Sequence, residues 1–314
     1  MSDVIAAMRM FDAAALRARI DMPKAIHALQ SALRSGFDPD DDPPRSIVDV
    51  RHGQLLLMPA DLGRYAGQKL ATVAPTNPAR GLERIQAIYV VLDAETLTPI
   101  ALLDGTELTS LRTPAMSAAM LDLVAEPDAK SLVVFGTGPQ GVRHVEAMRA
   151  IRPIERVRFV GRDRAKALQA AARCEASGLD VAVGTADDVA DADLVVCATT
   201  AREPLFDADL VRDRTALVAV GSHERDVREL PGALLGRSQV IVETDRVART
   251  EAGDVIMAFD EGHLSPGEVV PMARIATGAV EVARDRPRIV KTCGMGWQDL
   301  AVAQAAIDDA DGGA

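Results

Sequence analysis

Apolar residues change their spacing along the chain, and the change divides it in two. Between residues 11 and 35, Leu16, Ile20, Ile26, Leu29 and Leu33 recur at helical spacing, with Pro23 expected to break the helix into two short pieces. The stretch GFDPDDDPP, from Gly36 to Pro44, is a loop by its Pro and Asp content. Short β-type runs follow at 47–50 and 55–58, around a turn at His52 and Gly53, and again at 69–73, 85–92 and 99–103. They predict an α+β unit with a mainly antiparallel sheet.

Residues 109–124, rich in Ala and Met, read as a helix leading into a second domain. Beyond them strands and helices alternate. Strands are expected at 131–135, 157–160, 181–183, 193–198, 216–220 and 240–243, and helices at 142–150 and 165–177. Continuous apolar strands between helices argue for a parallel sheet covered on both faces. The last residues, DDADGGA, read as a frayed tail. No internal repeat is visible.

The first chemical motif lies where the second pattern starts. In SLVVFGTGPQG an apolar strand ends at Phe135, and Gly136, Gly138 and Gly141 then give Gly-x-Gly-x-x-Gly before a helix. The first glycine permits a tight turn, the second lets backbone approach a pyrophosphate, and the third lets helix and strand pack closely. The helix start offers free N–H groups to phosphate. A strand before, a helix after and a further strand at 157 make this a dinucleotide fingerprint rather than a bare Gly-rich turn. An NAD site carries an acid at the end of the second strand to bind the ribose diol. Here Gly161 and Arg162 stand there, with Asp163 just after. A cation suits a 2′-phosphate, so NADP(H) is expected ahead of NAD(H). The alternative is that Arg162 is solvated surface and Asp163 reads NAD.

Composition narrows the class. With 314 residues, the chain is long enough for about two domains with real cores. Hydrophobic residues make up 48% but aromatic ones only 3%, so the core is aliphatic. A formal charge of -11 disfavours nucleic acid and leaves room only for a local basic pocket. Three scattered cysteines (174, 197, 293) exclude a disulfide framework, and no Cys or His pair has metal-ligand spacing, so no metal is expected. There is no basic, apolar signal segment near the N-terminus and no apolar run of roughly 18 residues. No membrane partner is expected, and a reducing cytoplasm is the expected compartment.

Several segments together resemble the ornithine cyclodeaminase and mu-crystallin family: LLLMPA at 55–60, LLDGTELTSLRTPAMSA at 102–118, GTGPQG at 136–141, VGSHERDVREL at 220–230 and GMGWQDLAVA at 294–303. Their order spans nearly the whole chain. The family comprises cyclodeaminases, ketimine reductases, some alanine dehydrogenases and a crystallin that binds thyroid hormone. The resemblance implies a substrate-binding and dimerisation domain over 1–118 with 292–314, and a Rossmann dinucleotide-binding domain over 119–291. It implies that Arg45, Lys69 and Arg112 hold a substrate carboxylate, Arg through paired charge-assisted hydrogen bonds and Lys as a point charge. It implies cofactor contacts from Gly136, Thr137, Gly138, Gln140, Gly141, Ala198, Thr199, Val220, Gly221 and Gly296, and a homodimer through the N-terminal sheet. Trp297 stands beside the C-terminal motif, where a core role is the ordinary one.

One departure bears on the chemistry. Cyclodeaminases carry an essential Asp where VGSHERDVREL places His223, and Asp226 follows three residues later. Histidine supplies no fixed negative charge, although neutral His can act as a base. An imine reductase needs only to hold a cyclic imine carboxylate and protonate its nitrogen, with Lys69 and His223 as the candidate catalytic groups. The expected reaction is therefore NAD(P)H-dependent reduction of Δ1-pyrroline-2-carboxylate to L-proline, or of Δ1-piperideine-2-carboxylate to L-pipecolate. The alternatives are a cyclodeaminase in which His223 replaces the Asp, an amino-acid dehydrogenase, and a crystallin-like binder without turnover.

Overall fold

The computed structural model describes residues 4–175 and 178–311. It divides into two compact units, Met1–Thr113 with Met295–Ala314, and Pro114–Gly294.

The first unit opens with α1 (Val4–Ala7), β1 (Arg9–Phe11), α2 (Ala13–Arg19) and α3 (Met22–Arg34). Asp12 and Asp21 cap α2 and α3, accepting from Ala15 N and Lys24 N. The two helical pieces expected here are present, with the break at Ile20 and Asp21, just before Pro23. Pro23 occupies the first turn of α3, where its missing N–H would have no partner in any case. The strands are β2 (Ser46–Val50), β3 (Gly53–Asp61), β4 (Tyr65–Val73), β5 (Ile85–Asp93) and β6 (Pro99–Asp104). They form one sheet in the order β1-β6-β5-β4-β3-β2, antiparallel except for β1, which runs parallel to β6. Period-two alternation puts Tyr65, Lys69 and Ala71 of β4 on the buried face, with Tyr89 and Val91 of β5. A lysine thus stands in a row of core positions.

The chain leaves this unit along α4 (Gly105–Val124). The second unit holds β7 (Ser131–Phe135), α5 (Pro139–Ile151), β8 (Arg156–Val160), α6 (Arg164–Arg173), β9 (Asp180–Val183), β10 (Leu194–Cys197) and β11 (Ala216–Ala219). It continues through α7 (Gly232–Gly236), β12 (Gln239–Val242), α8 (Asp245–Thr250), α9 (Gly253–Asp260), β13 (Val269–Pro271), α10 (Met272–Ala276) and β14 (Arg288–Lys291). All eight strands are parallel, in the order β13-β12-β14-β11-β10-β7-β8-β9. Every residue of β7, β10, β11, β12 and β14 is buried, as a sheet covered on both faces requires. The chain runs outward from β7 through β8 and β9, then returns to β10 on the other side of β7. That reversal makes the carboxyl end of β7 a topological switch point.

The last element, α11 (Gly296–Asp311), returns to the first unit and packs on α3, β3 and β4. The tail expected to fray from residue 308 is helical through Asp311, because Ala306 and Ile307 continue the buried face of α11. Residues 312–314 lie outside the described residues, as do 176 and 177 of the helix expected over 165–177. Three strands, β1, β13 and β14, and the helices α1 and α7 to α11 had no sequence expectation.

Candidate functional site

In the first unit, a buried cationic cluster gathers around one carboxylate. Lys69 Nζ lies 2.6 Å from Asp299 Oδ2, and Arg112 Nε donates to Asp299 Oδ1 at 3.1 Å. Arg112 Nη1 also donates to Gln298 Oε1 at 3.0 Å. The elements explain the meeting. Lys69 projects from the inward row of β4, Arg112 sits on α4, and Asp299 belongs to the first turn of α11, a favourable place for negative charge. Arg45, half-buried just before β2, adds a third positive charge that acts on Lys69. Burial pushes the Lys69 pKa down to about 8, Arg112 and Arg45 push the same way, and Asp299 opposes them. Lys69 therefore stays cationic at neutral pH, yet can give up a proton.

Tyr89 stands opposite Lys69 in the β4–β5 register, fully buried, with its hydroxyl over Gly67. Burial, Asp299 and Asp42 push its phenol well above the usual range, so it is neutral. Gly296 also belongs to this unit. A Cβ there would meet Pro59 O at 2.3 Å, so the glycine lets the start of α11 press against β3. Trp297 is fully buried, packed 5.7 Å from Phe37, and its backbone N–H donates to Asp42.

In the second unit, most of the remaining candidates line the carboxyl edge of the sheet. Gly136 adopts φ +115, and a Cβ there would meet Ala198 O at 2.3 Å, so the Gly-rich turn and the end of β10 touch. Gly141 presses its turn of α5 onto Gly136 O, where a Cβ would come within 2.1 Å. Gly138 differs, for beyond its own chain neighbours nothing lies within 4 Å of the position a Cβ would take. It precedes α5 and offers no side-chain cap to the helix N–H groups. This open backbone at a helix start, at the switch point, fits a pyrophosphate. Thr137 and Gln140 belong to the same turn, and the Thr137 methyl would meet a Cβ on Gly161 at 2.7 Å.

Arg162 follows β8 and is exposed, with no ion-pair partner among the described residues. Asp163 Oδ1 caps α6, accepting from Ala165 N and Lys166 N. His144 is fully buried on α5, its Nδ1 2.8 Å from Gln140 O and its Nε2 2.9 Å from Ser117 Oγ. Burial pushes its pKa down to about 4, so it is neutral and fastens the Gly-rich turn to α4.

A buried charged network holds the ends of β10 and β11 together. Glu229 accepts from Thr199 N at 2.8 Å, from Thr199 Oγ1 at 2.7 Å and from Gly221 N at 2.7 Å. Asp254 accepts from the backbone of Glu229 and Leu230 and from the Ser222 hydroxyl. Lys291 Nζ donates to the Ser222 carbonyl at 2.6 Å and lies 3.5 Å from Asp254. Val220 continues from β11, its N–H donating to Cys197 O. His223 is exposed on the following loop, with Nδ1 3.4 Å from Gly221 O. Asp226 pairs with Arg202 at 2.8 Å on the surface.

Sequence reasoning missed Asp299, Gln298, Tyr89 and the Glu229–Asp254–Lys291 network. One signal was present for Lys291, a charge closing the short apolar run RIVK; Glu229, set among the charges of ERDVREL, and Asp299 carried none.

Among the described residues no helix is long and apolar enough to cross a membrane. The family model described as the ornithine cyclodeaminase/mu-crystallin family matches residues 7–314. A Δ1-pyrroline-2-carboxylate reductase 2 of Burkholderia ambifaria is 31% identical, with 96% of each chain covered. A Δ1-pyrroline-2-carboxylate/Δ1-piperideine-2-carboxylate reductase of Azospirillum brasilense is 33% identical, over 95% of this chain and 94% of that one. Among solved structures, the Thermococcus litoralis Δ1-pyrroline-2-carboxylate reductase in complex with NADH and L-proline superposes with a TM-score of 0.91 at 26% identity, covering 97% of this chain and 98% of that one. With its Gly-rich turn at the switch point and its motifs in order from end to end, the chain belongs to the ornithine cyclodeaminase/mu-crystallin family.

Proposed function

We propose that the protein reduces a cyclic ketimine carboxylate, Δ1-pyrroline-2-carboxylate or its six-membered homologue, to the corresponding amino acid, with NADP(H) preferred over NAD(H). The observation that carries the reading is the buried meeting of Lys69 and Arg112 on a single Asp299, with the half-buried Arg45 adding its charge at Lys69. Three cations against the carboxylates of Asp299 and Asp42 leave a net positive charge that attracts a monoanionic carboxylate out of water. Such a cluster is a local exception in a chain of charge -11. The likeness to reductases of these two imines supports the substrate class.

Each residue has a stated task. Arg112, steered through Nε by Asp299, keeps N–H groups free for a carboxylate oxygen. Arg45 adds charge at the same site. Lys69 spends one N–H on Asp299 and holds a proton for the imine nitrogen. The Gly136–Gly141 turn and the N–H groups of α5 hold the dinucleotide phosphates. Ala198, Thr199, Val220 and Gly221 line the nicotinamide end, fixed by Glu229. The reduced nicotinamide supplies a hydride to the imine carbon. His223 is assigned a second proton-carrying role on the loop after β11. Arg162 faces solvent where a 2′-phosphate would lie, and Asp163 is already engaged as a helix cap, which favours NADP(H). Exposed Ile47, Val48 and Val50 of β2, with Ile85 and Ile88 of β5, support a homodimer through the first unit's sheet.

The test is NADPH oxidation by the purified protein with Δ1-pyrroline-2-carboxylate, with proline identified as product. Arg112→Ala is expected to raise the imine KM at least about tenfold, from loss of a charge-assisted pair. Ammonia release from L-ornithine with NAD+ in place of imine reduction would overturn the reading in favour of a cyclodeaminase. Cofactor binding without turnover of any imine would overturn it in favour of a binder.

A further inference from the structure

Asp299 is fully buried, and each of its carboxylate oxygens is taken by a different cation of the cluster: Oδ2 by Lys69, Oδ1 by Arg112. No other carboxylate among the described residues pairs with either of these two cations. A buried salt bridge of this kind is weak as a stabilising device, because taking the charges out of water costs about as much as their attraction returns. Its geometry has a different use. Resting on the reading of Lys69 and Arg112 as substrate-holding groups, we propose that Asp299 is a positioning residue of the imine-reducing site. It aims the Lys69 ammonium and the Arg112 guanidinium, and it supplies the one negative charge that lets Lys69 keep its proton beside two guanidinium groups.

The groups around Lys69 come from five places, and their signs can be set out in full. Arg112 from α4 and Arg45 from the segment before β2 repel its proton. Asp299 from α11 attracts it. Tyr89 from β5 is neutral, and Asp42, from the loop after α3, acts on Tyr89. Only Asp299 offsets the two guanidiniums and the burial directly. Remove its charge, and burial and the two guanidiniums drive the proton off Lys69 at lower pH. The balance of the reductive step then fails. The imine nitrogen takes a proton as its π bond to carbon breaks, the carbon takes the hydride pair from the reduced nicotinamide, and Lys69 Nζ, left neutral, regains a proton from solvent. A neutral Lys69 has no proton to give and holds the substrate carboxylate less well.

Asp299→Asn keeps the shape and removes the charge. The chain has five lysines (24, 69, 130, 166 and 291), so 13Cε-lysine NMR can follow Lys69 without turnover. In the variant Lys69 is expected to titrate at least about one pH unit lower. The basic limb of kcat/KM for the imine is expected to move with it, while the Kd for NADPH stays within about twofold of the wild type. Asp299→Glu keeps the charge and is expected to keep the limb in place while raising the imine KM.

Three results would overturn the proposal: Lys69 titrating in Asp299→Asn as in the wild type, activity falling with the limb unmoved, or wild-type kcat/KM at every pH. If Asp299→Asn does not fold, Asp299→Glu decides. A Lys69 titration close to wild type supports the proposal, and a fall of about one unit overturns it. If the wild type reduces no imine, the proposed function fails on its own, and the lysine titration still decides whether Asp299 governs Lys69.

Discussion

Gly138 and Gly141 sit three residues apart in one turn, and alanine at each should act in a different way. Gly138 has φ -80 and ψ -178, which any residue adopts, and open space where its Cβ would go. Alanine there removes unfolded-chain freedom, about 0.4–1 kcal/mol, but gives up glycine's advantage at the N-cap of α5, so the free protein should stay within about 1 kcal/mol of wild type. The same methyl group would stand where the pyrophosphate is argued to lie. Binding of NADPH should weaken at least about tenfold, or about 1.4 kcal/mol. At Gly141 the added Cβ would meet Gly136 O at 2.1 Å and Val134 Cγ1 at 3.4 Å, so the helix must move. The expected cost is about 1–3 kcal/mol of stability. Thermal melts without cofactor and calorimetric titration with NADPH read both effects. If Gly138→Ala binds NADPH and NADH with wild-type Kd, the turn is not the phosphate seat, whatever its sequence.

Arg162→Ala should raise the KM for NADPH by about tenfold or more and leave that for NADH nearly unchanged; an unchanged ratio removes Arg162 from cofactor choice. Stability should fall with acid through His144. Its folded pKa lies below the unfolded value, so between about 6.5 and about 4 only the unfolded chain takes the proton, at a cost of up to roughly 3 kcal/mol. Urea melts of His144→Gln should lack that slope, and an identical slope would refute the account. His223→Ala should lower kcat at little cost in imine KM, and full activity would leave His223 as loop structure only. Light scattering should give a dimer, and Ile47→Glu with Val48→Lys should give a monomer; a monomeric wild type sinks the sheet-face interface.

The parts legible in sequence were those whose signal is local. Period-two runs placed β2 to β6, and the Gly-rich motif placed the β7–α5 turn, because both patterns follow from backbone geometry within a few residues. β14 escaped because its four residues, RIVK, follow a stretch of Arg, Asp and Pro and carry a charge at each end. Both charges are buried. Arg288 donates to Val124 O and Asp213 O, and Lys291 to the Ser222 carbonyl. Asp299 escaped for a related reason. Its partners stand 230 and 187 residues away, and nothing near it in sequence distinguishes it from an exposed helix carboxylate. The cations of a site can be matched by motif, but the acid that organises them is seen only when the chain is folded.

The placement of β14 and α11 has a consequence for the order of assembly during synthesis. β12 reaches the rest of its sheet only through β14, which is made some 46 residues after it, so β12 and β13 emerge from the ribosome as a pair without a neighbour. The first unit starts before the second and is completed only after it, since α11 follows β14. Until then α3 has no cover for part of its apolar stripe, and Lys69 has no counterion. A nascent chain halted before residue 295 therefore exposes sticky surface in the first unit, and that unit is where a chaperone would be expected to hold it.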